Sequence, residues 1–589
     1  MNMKMMKRIV LIVVITLVVF LPAAKAQTNI VFDAMKDELA RSMKELRLEN
    51  APAPYFISYL VNDSYNLIIA AQSGAQISSN SGSRTRLLRT DVRVGDYEWD
   101  NFNFRSSTVS GSDPSVLPDT VSIIIDDDYD ALRRAMWRET DRMYMIAVDA
   151  LNRKNTARKD MLQAADRPPD FSRGNATVSV AKANDFTISR ELWEERVNHI
   201  AGLLLREKNI QNSMVQVQIR IANTLYVNSE GAETLEPSSY TMLLISAIVT
   251  ADDGMPVERL RTYSAARHEE LPDLKTLVTD TESLIAELNA AQNAPIGEDY
   301  SGPILFEGQA AAELFAQGFL NFLRGMRTPD AATPALATQL NQSANPFLNR
   351  MNARVASNFL SVKAVPSMKT YGGKELAGAH AVDSEGIPAQ DVVLVENGML
   401  RNLLMSRTPV KGFDASNGHG RGRQVVPSVI HVTSENRKSY DQLKQALIEA
   451  VKDEGLSYGY IIRRVMLTTG STDGGGGVAN ILQSLLGQVQ SEPGQFRLAS
   501  GPFSIFRLYP DGKEEPVRGM ELGAFNVSNM RDILATSDDE TVHIFPAAGL
   551  GNAASIIIPS LLLKEVNLRK NVGVYPKPPV VDSPMKTEN

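Results

Sequence analysis

The sequence holds six histidines and no cysteine. Thiolate nucleophiles and thiolate metal ligands are therefore excluded at the outset. What remains is carboxylate, imidazole and guanidinium chemistry. Asp383 and Glu385 open the stretch "DSEGIPAQDVVLVENGMLRNLLMSR" (383–407). Two residues apart on a strand they share a face and could divide acid and base work. At the foot of a hairpin the same pair shapes a turn, and this is the reading the stretch favours. His419 in "SNGHGRG" (416–422) is flanked by glycines and followed by Arg421 and Arg423. It reads either as a peptide contact, together with Arg421, or as an exposed histidine on an ordered glycine loop. His268-Glu269 with Asp273 imitates a zinc-binding spacing, but Pro272 disrupts a helix there. Residues five apart also lie roughly 140° apart around a helix. Asp126 to Asp128 lack the further oxygen ligands and the glycine of a calcium loop. "TTGSTDGGGG" (468–477) lacks the Lys-Ser/Thr ending of a phosphate loop. His199 and His543 read as structural. A dispersed metal site would have to draw on His380, His419, His431 or Asp383, and their spacing gives it no support.

These residues need elements to position them. Apolar periodicity predicts helices over 31–48, 126–151, 190–207, 280–292 and 441–454. The acidic run before 129 favours a helix N-terminus, and Gly455 a helix stop. Strands are expected at 55–63 and 84–101. Alternation at Val215, Val217, Ile219 and Ile221 marks a half-buried strand over 214–236, turning at Asn228 to Gly231. Hairpins are expected at 392–405, turning at Asn397-Gly398, and at 505–519, turning at Asp511-Gly512. The segment "NAPIGEDYSGP" (293–303) reads as a junction. The expected divisions are 27–125, 126–297, 298–572 and a loosely ordered tail, 573–589.

With 43% hydrophobic residues the chain can bury real cores, and its net charge of −7 carries no basic face for nucleic acid. Lys4, Lys7 and Arg8, the apolar run Ile9 to Leu21, and Ala24-Lys25-Ala26 read together as a signal peptide over 1–26. The apolar run is shorter than the ~20 residues of a membrane span. The expectation is an exported, periplasmic or otherwise extracytoplasmic chain with no stable membrane span.

Several stretches resemble the TldD/PmbA family, that is, the TldD and TldE peptidase subunits once called modulators of DNA gyrase. They are "YVNSEGAET" (226–234), "YSGPILFEGQAAAELF" (300–315), the 383–407 stretch, "SNGHGRG" and "YPDGKEEPVRG" (509–519). The resemblance implies an α+β fold: an α/β N-terminal region, then a β-rich C-terminal domain, barrel-like or antiparallel. It also implies dimers enclosing a chamber. The catalytic subunits of the family are zinc peptidases acting on unfolded peptide, with His-Glu-x-x-x-His on a helix and a later cysteine. Carried onto this sequence, the motif positions are Ala316, Gln317 and Asn321. None of the three expected residues is present, and no histidine lies between His268 and His380.

The resemblance thus implies a TldE-like, non-catalytic subunit with no cofactor of its own. Zinc would reside in a TldD-like partner, with self-pairing as the fallback. The alternatives are an active metallopeptidase with a non-standard site and a stand-alone peptide- or glycan-binding protein. Gyrase modulation fits poorly, because an exported protein does not meet a cytoplasmic enzyme. The leader sets the first test: N-terminal sequencing of the exported chain should begin at Gln27, and intact Met1 on a cytoplasmic chain would contradict cleavage and export together.

Overall fold

The fold is that of a computed structural model, which describes residues 29–79, 82–106, 120–158, 167–342, 344–465, 495–496, 504–523, 525–547, 553–571 and 573. The leader, the 468–477 loop and nearly all of the expected tail lie outside these residues.

The N-terminal part is built on long antiparallel strands. Pro54–Gln72 pairs with Ser83–Val94 on one side and with Asn212–Asn228 on the other. Asn212–Asn228 pairs in turn with Glu233–Thr250, and that strand with Pro256–Ala265. Alternation decides the faces. Ile57, Tyr59, Leu67, Ile69, Val215, Val217, Ile219 and Leu225 all point to one side, where four helices cover them. Ile30–Glu45 and Tyr129–Ala157 pack over one end of the sheet. Arg190–Leu205 and Leu274–Gln292 pack over the other, with Trp193 fully buried between them and the sheet. The sheet draws strands from both sides of the expected 125/126 boundary. Its pairing is antiparallel apart from Val178–Val180 on Glu233–Leu235. It is thus a one-sided α+β layer rather than an α/β sheet covered on both faces.

The C-terminal part is organised by the strand Ala553–Lys570. It pairs with Tyr300–Phe306, Val429–Ser434, Met520–Leu522 and Ile533–Pro546. Ile556 to Ile558 and Leu561 to Leu563 are fully buried, as a central strand covered on both faces requires. The expectation of a barrel-like, antiparallel domain is corrected here. Among the described residues the sheet is open, and it includes parallel pairs such as Ile304 to Phe306 on Tyr460 to Ile462. Strand direction is not legible in apolar patterning, which records burial and not the neighbour's sense. Both expected hairpins form, with Asn397 and Gly398 at φ +46° and +78°, the two positive values of a type I′ turn.

The two parts are tied together around buried Asp170, which Lys154 holds from within the N-terminal part and Arg327 from the C-terminal part. Lys154 Nζ, fully enclosed, donates to Asp170 Oδ2 (2.6 Å), Phe102 O (2.6 Å) and Asp100 O (3.0 Å). Arg167 bonds Asp330 (2.9 Å), and Arg327 donates to Pro168 O and Pro169 O. Replacing Lys154 by methionine leaves Asp170 and two carbonyls without their donor. The expected loss in denaturant unfolding is about 3 kcal/mol, the lower end for a broken buried pair, because Arg167 and Arg327 still face Asp170.

Candidate functional site

The segment 302–323 keeps the expected strand, turn and helix start. Tyr300–Phe306 ends at Glu307, Gly308 takes φ +38°, and the helix Gly308–Gln317 begins. Ala310, Ala311, Ala312, Leu314 and Phe315 are buried in the main C-terminal core, which explains the alanine-rich composition. Polar residues one turn apart face elsewhere. Gln309 donates to Thr262 Oγ1 (2.9 Å) on the N-terminal sheet. Glu313 accepts Val465 N (2.8 Å) and lies 3.3 Å from Arg464, while Arg464 reaches Thr262 Oγ1 (2.6 Å). Burial pushes the Glu313 carboxyl up, against the pull of Arg464.

The helix then breaks. Gly318 adopts φ −102° and ψ −81°, and a four-residue helix, Phe319–Phe322, follows. Ala316 and Gln317 therefore end one helix while Asn321 stands in the next. Asn321 Nδ2 donates to Gln317 O (2.8 Å), and Gln317 Oε1 is buried without a partner. Beside them Arg324, 6% exposed, donates from Nε to Val425 O (2.6 Å) and lies 3.5 Å from Asn321 Oδ1.

Zinc does not fit this donor set. Alanine has no ligand atom, two neutral amides are poor zinc ligands, and a guanidinium adjoins them. Among the described residues no group of three or more His, Asp or Glu is placed to hold a metal ion. The sequence decoys have other work. Asp273 caps the helix Leu274–Gln292, and His268 Nε2 lies 3.3 Å from Glu269. Asp128 caps Tyr129–Ala157, and Asp127 pairs with Arg86 (2.8 Å). His431 lies 3.1 Å from Glu540.

The four candidate contact residues do come together, but as an interior lock. Asp383 is 1% exposed. Its Oδ1 accepts Glu385 N and Ile387 N (both 2.9 Å), closing its own turn, and its Oδ2 accepts Gly420 N (2.8 Å). Glu385 Oε2 accepts Arg407 N (2.7 Å) and Oε1 accepts Arg423 N (3.1 Å). His419 is wholly buried, which corrects the exposed-histidine reading. Its Nδ1 meets Asn417 and its Nε2 meets Ser428 Oγ, and burial pushes its pKa down to about 4. His380 places its two ring nitrogens 2.9 Å from Gly378 O and Gly418 O, and a neutral ring can donate to only one. Arg421 is half-buried, 3.4 Å from Ser384 Oγ.

Residues that spacing did not single out complete the lock. Arg407, fully buried, donates to Ser172 O (2.6 Å) and Glu230 Oε1 (2.9 Å), with its guanidinium 4.0 Å from the centre of the Phe171 ring. Glu236 accepts the N–H groups of Ala381 and Val382. Gly422 takes φ +57°, and a Cβ there would lie 1.3 Å from Arg89 Nη1, so the loop needs glycine where it meets the sheet. Phe56, Ser58, Arg89, Asp91, Glu385 and Arg423 enclose about 20 Å³, room for a single water. The sheet face turned away from the helices carries a polar patch beside apolar Tyr240, Met242 and Leu244: Gln218 donates to Asn66 (3.2 Å), and Arg220 to Asn62 (3.1 Å). The signal for it was present in the polar half of the 215–221 alternation.

A one-sided helical layer locked by glycine-rich loops onto a β-rich domain defines a two-part α+β protein. Residues 299–570 match the PmbA/TldA metallopeptidase C-terminal domain, which supports assignment to the TldD/PmbA family. It is similar in structure to a protein of Thermotoga maritima described as a modulator of a DNA gyrase (14% identity, TM-score 0.56), covering 91% of this chain and 100% of that one. TldE from Thermococcus kodakarensis (13%, 0.56) is covered to the same extents, and 91% of this chain aligns with 98% of a DNA gyrase modulator of Bacteroides thetaiotaomicron (15%, 0.54). At these identities the structural likeness speaks for fold alone. No curated protein matches the chain.

The lock carries a pH signature. Burial and the neighbouring Glu385 push Asp383 up to about 7, against ~3.9 in an unfolded chain. Between those values the folded chain holds more protons, so this group's contribution to stability falls as pH rises. The stability difference between wild type and D383N, from urea unfolding, should shrink between about pH 5 and about pH 8. A difference independent of pH would contradict the assignment.

Proposed function

We propose that the chain is a TldE-like, non-catalytic subunit, exported by a cleaved leader. It pairs with a zinc-peptidase homologue and contributes the walls of a chamber that holds unfolded peptide. The observation that carries this reading is the replaced motif. Ala316, Gln317 and Asn321 offer no metal ligands, Gly318 breaks the helix between them, and Arg324 sets a fixed positive charge 3.5 Å from Asn321. A divalent cation placed beside a buried guanidinium is repelled, and the more strongly the lower the local dielectric. Zinc chemistry in this reading belongs to the partner. The polar patch on the sheet, with Asn62, Asn66, Gln218 and Arg220, supports peptide as the ligand class: amides and a guanidinium suit main-chain hydrogen bonding with little sequence demand.

The test is elemental analysis of the chain purified without chelator, together with an assay for metal-dependent peptide cleavage. We expect substoichiometric zinc and no cleavage by the isolated chain. One tightly held zinc per chain would overturn the non-catalytic assignment.

A further inference from the structure

Six arginines of the described residues are buried: Arg86, Arg93, Arg259, Arg324, Arg407 and Arg464. Burying a charge is costly unless it is paired. Four of the six obey. Arg86 faces Asp63, Arg93 faces Asp100, Arg407 faces Glu230 and Arg464 faces Glu313. Arg259 feels the charge of Glu287. Arg324 has no acid beside it, and burial alone lowers its pKa to about 10. Its contacts are neutral: Val425 O through Nε and Asn321 Oδ1 through Nη1. Among the described residues the Nη2 side of its fork has no acceptor, and the neighbouring Asn321 is exposed, marking the open side.

We infer that Arg324, approached past Asn321, anchors a carboxylate-binding subsite for the bound peptide. The inference rests on the peptide-binding reading above and gives it a chemical preference. A guanidinium fork matches a carboxylate with two parallel hydrogen bonds. One monovalent anion balances one arginine, whereas a phosphate dianion would want a second cation, and none acts on Arg324. The carboxylate has two possible sources in a peptide, its C-terminus or an Asp/Glu side chain. The subsite lies where the family carries its zinc helix, so a peptide end would be held at the point from which a catalytic subunit would cut.

The experiment uses the full mature chain and three fluorescent octapeptides of one uncharged sequence: the free acid, the C-terminal amide, and the amide with one internal aspartate. Binding is followed by anisotropy. We expect the free acid to bind more tightly than the neutral amide, on the order of tenfold or more, and R324Q to erase the difference. Preference for the aspartate peptide over the neutral amide, also lost in R324Q, assigns the subsite to acidic side chains. Equal binding of all three by wild type overturns the inference while leaving peptide binding intact, whether or not R324Q folds. If no peptide binds, the peptide reading fails. The subsite then stands or falls on whether N-acetylglycine protects Arg324 from phenylglyoxal in wild-type chain, read by peptide mapping, and absence of protection overturns it.

Discussion

Asp383 and Glu385 commit their four carboxylate oxygens to backbone N–H groups, and the arrangement of the two halves of the molecule follows from that. Asp383 closes the turn at 383–387 and holds Gly420. Glu385 fixes the backbone at Arg407 and at Arg423. With those points set, the Arg407 guanidinium reaches across to Ser172 and Glu230, and Gly422 can sit against Arg89 on the sheet. An unsatisfied buried N–H costs about 1–3 kcal/mol, so each of these bonds is expensive to break. For Asp383 these backbone donors favour the ionised form, while burial and Glu385 oppose it and prevail.

On this support the segment 300–317 keeps a strand, turn and helix start. The strand Tyr300–Phe306, the turn at Gly308 and the buried alanines of the following helix are shaped by packing, and packing is intact. What differs is electrostatic. A hydrolytic zinc site concentrates ligands and positive charge on a metal that activates water. Here the same region presents neutral amides and a guanidinium bonded to a backbone carbonyl. Such a surface suits an anion or a peptide backbone.

Much of the fold was legible because burial writes itself into the sequence. The helices at 31–48, 190–207 and 441–454 shifted by only a few residues, and both Asx-Gly hairpins formed where their turn residues stand. The single N-terminal sheet was not legible. The pairing of Ser58 with Asn228, far apart in the chain, leaves no local signature. In the site, the residue types at 316, 317 and 321 could be read directly from the sequence. The burial of His419 could not, because flanking glycines indicate mobility in isolation but close approach in a packed loop, and only the partner surface distinguishes the two. Arg324 and Arg407 were likewise silent: an arginine in sequence carries no sign of whether its charge will be buried.

The central claim is that this chain supplies scaffold to a partner that supplies chemistry. Its most direct test is to mix the mature chain with a homologue from the same organism that retains His-Glu-x-x-x-His, and to measure solution mass and peptide cleavage together. The account expects a stable complex of the two, with an interface above the ~1,200 Å² lower bound for stable association, and a cleavage rate that changes when this chain is added. A chain that remains monomeric alone and in the mixture, with the homologue's cleavage rate unaltered, would contradict it.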